Sequence, residues 1–127
     1  MNREEALETS IELWEWLVEN PNEYKGDWPG WKGQSKGWCE CPLCNYSLEL
    51  MTKAKPDSLG FCSPYCPLYY KWAPKSLVDK VPCERRGSPY LAWLNARGKP
   101  EARKRNAKRV IKLLKEALDE YNLNTNP

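Results

Sequence analysis

The sequence predicts a mainly α, small single domain in which N- and C-terminal amphipathic helices surround a zinc-stapled, loop-rich cysteine centre. Three observations carry that prediction. Helical periodicity marks both ends, while glycine, proline and cysteine crowd the middle. The length of 127 residues suits one domain with a modest core. Within the single zinc-binding domain 1–127, the expected organisation is an acidic helix over 1–20, a Trp- and Cys-rich zinc region over 22–98 and a basic helix over 99–123.

Residues 2–19 read as a helix because Leu7, Ile11, Trp14 and Val18 recur at spacings of four, three and four while the acids take other faces. Pro21 stops it, since proline cannot continue the helical hydrogen-bond ladder. Trp16 falls opposite this stripe, either covered by the following loop or offered to a partner. The run NEYKGDWPGWKGQSKG at 22–37 mixes four glycines with two tryptophans and has no period, so it reads as a loop tacked down by Trp28 and Trp31.

After Cys41 the chain has no Gly or Pro between Pro42 and Pro56, which fits a helix; the alternation in YSLELM leaves a strand over 46–51 as the alternative. CPLYYKWAPKSLVDKVPC, at 66–83, spaces its prolines too closely for a long element and should consist of turns. Ser88 and Pro89 then open a helix over YLAWLNAR, as cap and first-turn residue, and Gly98 closes it. In the final segment Ala107, Val110, Ile111, Leu114, Ala117, Leu118 and Tyr121 form one stripe with basic residues opposite, predicting a helix of roughly five to six turns at ~3.6 residues per turn. CPL and SPY each occur twice at an offset of 25, but the residues between do not match and no repeat is inferred.

Six cysteines and no histidine decide the chemistry of the middle. MNREEALETS is acidic where a secretory leader would be basic and then apolar, and no stretch approaches the ~18 apolar residues of a membrane span. A cytoplasmic setting is therefore expected, and a reducing cytosol disfavours structural disulfides. Cys41 and Cys44 form a Cys-Pro-x-Cys turn of the kind that gives zinc two thiolates from one knuckle. Cys62 and Cys66, with three residues between them, supply a second pair; Cys83, following Pro82, competes with Cys62 for the fourth place. Cys39 is left over. A four-thiolate zinc carries net −2 and would lower the formal charge from +3 to +1. Catalytic zinc keeps a position open and favours His or carboxylate ligands, so a closed structural site is expected and no catalytic residue is assigned.

Charge is segregated. Residues 1–24 hold seven acids against Arg3, net −6; residues 25–61 are net +1; residues 62–127 hold fourteen bases against six acids, net +8. The split means either an electropositive surface for an anionic partner or two terminal helices that attract each other. Trp28, Trp31, Trp38, Trp72 and Trp93 sit beside turns and cysteines, where large aromatics cover loops and metal in a thin core.

Taken in order, LWEWLVENPNEYKGDWPGW, CPLC, the CPL at 66–68 and CERRGSPYLAWLNA resemble small cysteine-containing proteins of uncharacterised function encoded by bacteriophages and prophages. The likeness covers most of the chain. It departs at Ser63-Pro64-Tyr65, three residues where the pattern has two between cysteines. The resemblance implies a host-cell cytoplasmic setting rather than an activity. The leading expectation is a non-enzymatic accessory protein that binds a host or defence-system protein. The alternative is a nucleic-acid or nucleotide binder using Lys104, Arg105, Lys108, Arg109, Lys112 and Lys115 with exposed tryptophans such as Trp16. An enzyme needs a nucleophile or acid/base pair that is hard to assemble without histidine.

Overall fold

The computed structural model describes residues 2–31, 41–54, 68 and 88–125. Among them the protein is mainly helical and contains no strand. Helix α1 spans Arg3–Glu19 and is followed by two short 3-10 turns, Lys25–Asp27 and Pro29–Trp31; helix α2 spans Pro42–Ala54, α3 spans Pro89–Asn95 and α4 spans Pro100–Thr125.

Each helix begins for a local reason. Asn2 caps α1, its Oδ1 accepting the Glu5 amide at 2.8 Å, and Glu4 and Glu5 complement the positive end of the helix dipole. Pro42 occupies the first position of α2, where its missing N–H costs nothing, and the Cys41 carbonyl accepts the Asn45 amide at 3.1 Å. The helix reading of this segment therefore holds over the strand alternative, and α2 ends two residues before Pro56. Ser88 Oγ accepts the Leu91 amide at 3.1 Å to start α3, with Pro89 next, as the sequence predicts. After Asn95 the chain turns, and Gly98 takes φ +81°, a left-handed conformation that resists a Cβ. That reversal lets α4 begin immediately at Pro100.

The last helix has 26 residues, about seven turns, within two residues of the expected bounds 99–123 and longer than the five to six turns read from the stripe, because Pro100 opens it at once and the basic first turns continue it. At the other end of the chain, α1 stops where Asn20 folds back, its backbone N–H and its Nδ2 both donating to the Trp16 carbonyl at 2.9 Å.

The core lies mainly between α1 and α4, with α3 against α4 and α2 against α1. On α1 and α4 the largest fully buried aliphatics are Leu7, Leu13, Leu17, Val110 and Leu114. The α1 stripe needs two corrections. Val18 is only half-buried, whereas Leu13 and Leu17 are fully buried, because α1 is covered by both α2 and α4 and needs a wider apolar arc than one stripe. On α4 the expected Ala107, Val110, Leu114 and Ala117 are buried, with Ile111, Leu118 and Tyr121 at the margin.

The 3-10 segment behaves as a tacked loop. Trp28 and Trp31 are buried edge to face, centroids 5.5 Å apart, and Trp31 Nε1 donates to the Lys25 carbonyl at 2.9 Å. Gly30 is required beneath them, since a Cβ there would lie 2.1 Å from the Trp28 ring. Trp93 is fully buried as well; Trp38 and Trp72 lie outside the described residues.

Candidate functional site

Of the predicted zinc ligands, Cys41 stands immediately before α2, half-buried and packed against the core. Cys44 belongs to the first turn of α2, and a spacing of three brings the two positions to one side of a helix start. The amide dipoles of such an end favour negative charge, as a thiolate pair requires. Cys62, Cys66 and Cys83, like Cys39, lie outside the described residues. Among the described residues no three metal-ligating side chains come together. Two of the expected ligands thus stand at the start of α2, and the others lie outside the described residues.

The basic set on α4 lies on its solvent side. Arg105, Lys108, Arg109, Lys112 and Lys115 are exposed and Lys104 is half-buried. They do not form one uniform surface. Arg109 turns back to donate to Asn106 Oδ1 at 2.9 Å, and Asn106 Nδ2 donates to the Ala102 carbonyl at 3.0 Å. Lys108 and Lys115 instead edge an open groove of about 260 Å³ between α4 and α1, where Val18 and Ile111 are the apolar lining and Glu15 and Glu19 form the facing wall. Among the described residues no ion pair bridges the two walls. Trp16 is half-buried and packs against the core with part of its surface exposed.

A second cluster escaped sequence reasoning. Lys25 is only 3% exposed, and its ammonium donates to the Tyr90 hydroxyl and lies 4.3 Å from that ring's centre. Arg103, 4% exposed, places its guanidinium 3.9 Å from the centre of the Trp93 ring and donates from Nη1 to the Glu23 carbonyl at 3.1 Å. Trp14 meets Trp93 edge to face at 5.0 Å and Tyr90 at 5.9 Å; Tyr90 stacks on Trp93 at 6.2 Å. Burial pushes the Arg103 pKa down, opposed by Tyr24 and reinforced by Arg97, yet an arginine stays charged at neutral pH. Arg103 Nε, Trp93 Nε1 and Ser10 Oγ are buried without a hydrogen-bond partner.

The signal for Arg103 was present in the sequence. It stands four residues before Ala107 and seven before Val110, on the apolar stripe itself, where an arginine must find an aromatic face or a carbonyl. Lys25 had no comparable signal, because its burial depends on Tyr90, 65 residues away.

The Arg103–Glu23 bond also fixes direction. It ties the start of α4 to the chain just past the end of α1, so the two helices run antiparallel, with the two-signed groove along their seam. Compared with protein-family models, curated proteins and solved structures, the chain has no match.

Proposed function

We propose that this protein is a non-enzymatic binding module, an accessory protein of phage type that acts by docking on another protein in the host cytoplasm. One observation supports this best. The α1–α4 groove sets an apolar strip between a carboxylate wall, Glu15 and Glu19, and an ammonium wall, Lys108 and Lys115. A protein surface can answer both signs at once. A phosphate backbone approaching Lys108 or Lys115 meets the carboxylates of α1, which repel it.

In the same reading Cys41, Cys44 and Cys66, with Cys62 or Cys83, hold one structural Zn²⁺ that fastens the central region to the start of α2. None of the described helices is long and apolar enough to cross a membrane, which is compatible with a cytoplasmic site of action.

Nucleic-acid binding is the second reading, favoured by the exposed row Arg105, Lys108 and Lys112. Capture from expressing cells, analysed for protein and nucleic acid together, separates the two. The expected result is a protein partner, and only weak, salt-labile nucleic-acid binding. Replacing Lys108, Lys112 and Lys115 with Glu should weaken capture of the protein partner as well, because two of the three form one wall of the groove. Submicromolar nucleic-acid binding at physiological salt, lost in that triple variant, reverses the ranking.

A further inference from the structure

The two walls of the groove are complementary to each other, which has a geometric consequence. A second copy laid face to face on the groove can be related to the first by a two-fold axis running along the seam or by one crossing it. The axis across the seam sets Glu15 and Glu19 of one copy on the same carboxylates of the other. The axis along the seam sets them opposite Lys108 and Lys115, twice over, and closes Val18 and Ile111 of both copies into a shared apolar strip. We infer that this face is a self-association surface, and that the chain forms a symmetric dimer with α1 of each copy antiparallel to α4 of the other.

The packing this creates is a four-helix arrangement. Because α1 and α4 run antiparallel within one copy, the second copy's α1 meets the first copy's α4 in the antiparallel sense as well, as in common bundles. Each of Glu15, Glu19, Lys108 and Lys115 gains an oppositely charged neighbour, and no ion pair within the chain, among the described residues, has to be broken first.

The size of the face sets the strength. The 17 residues of α1 limit the shared length to about 26 Å, and two helices side by side are ~20 Å wide, so each copy can bury ~500 Å². Twice that is about the 1,000 Å² at which specific interfaces begin. The dimer is therefore weak, with a micromolar Kd. With charges of both signs at its rim, it should loosen when salt screens them.

The inference rests on reading this face as protein-binding, and the two can fail separately: a monomer that still captures a cellular protein sinks the dimer alone. The test uses the full chain in sedimentation equilibrium at about 50 mM and about 500 mM salt. Twice the 14.8 kDa chain mass is expected at low salt, with a larger Kd at high salt. Two variants extend the test, one carrying Glu15→Lys and Glu19→Lys, the other Lys108→Glu and Lys115→Glu. Each alone opposes like charges and should dimerise at least about a hundredfold more weakly. Mixed in equal amounts, their walls are complementary at both contacts, and a one-to-one heterodimer should form. Charges acting only within one chain cannot be rescued in trans. Unmodified protein that stays at the single-chain mass, or a dimer indifferent to both reversals, overturns the proposal. The unmodified chain's mass tests it even if a variant fails to fold.

Discussion

The contact between Arg103 and Trp93 gives the sharpest energetic prediction. With the guanidinium 3.9 Å from the ring centre and the arginine 4% exposed, this is a desolvated cation–π pair, worth about 2 kcal/mol against about 0.5–1 at an exposed site. A double-mutant cycle of Arg103→Met and Trp93→Leu isolates it. Arg103→Met removes the cation–π contact and the Nη1 bond to the Glu23 carbonyl, a charged hydrogen bond worth about 1.5–3 kcal/mol. It also removes a buried charge whose Nε has no partner, which offsets part of that loss. The single change should cost only about 1–2 kcal/mol. Trp93→Leu empties part of a fully buried site and should cost roughly 2–4 kcal/mol, somewhat less than truncation to alanine. The double variant should then be more stable than the sum of the two losses implies, by about 1–2 kcal/mol. Urea unfolding followed by far-UV circular dichroism is the suitable assay, because fluorescence would change with the tryptophan itself. A coupling within about 0.3 kcal/mol of zero, with unchanged m-values, would refute the claim that this contact stabilises the fold.

Other perturbations test the remaining parts. Leu114→Asn places an amide at a fully buried position on α4 and should cost about 2–5 kcal/mol, seen as a fall in the urea midpoint. Gly30→Ala puts a methyl where the Trp28 ring lies, so Trp28 must move; about 1–3 kcal/mol should be lost, with a shift in tryptophan emission that Gly98→Ala, which meets nothing within 4 Å, should not produce. Protein purified without added metal should carry about one zinc per chain by elemental analysis, and Cys41→Ser should lose both the zinc and much of the cooperative melt, whereas Cys39→Ser should not. A fully folded, zinc-free preparation contradicts the metal reading.

How much could be read from the sequence depended on the range of the interactions involved. The helices were legible because their causes are local: Pro42 at a first helical position, Ser88 with Pro89, and Gly98 in a left-handed turn all act within a few residues. The α4 stripe was legible because one neighbour, α1, dominates its packing. The α1 stripe was less so, since both α2 and α4 pack on α1, and the fully buried Leu13 and Leu17 belong to a wider arc than one single-helix period encodes. Lys25 shows the same limit at its extreme, a cation in a glycine-rich loop buried by an aromatic 65 residues on. The cysteine set has that character too: the Cys41–Cys44 spacing is a local fact, whereas choosing between Cys62 and Cys83 requires the path of the chain between them.

The proposed metal and the groove would make separate demands on the fold. The groove charges stand on α1 and α4, whose antiparallel packing is held by Leu7, Leu17, Val110 and Leu114 and tied at one end by Arg103. Cys41 and Cys44 stand instead at the start of α2, and among the described residues no cysteine lines the groove. Removing zinc should therefore loosen α2 before it disturbs the α1–α4 seam, because metal binding stabilises only the part it organises and structures open in cooperative pieces. Reversing the groove charges should do the opposite, leaving zinc content and melt nearly unchanged, since exposed charges contribute little to folding, while altering the partners the surface accepts. In the proposed reading the two sensitivities separate because the groove charges stand on α1 and α4 and the cysteines at the start of α2.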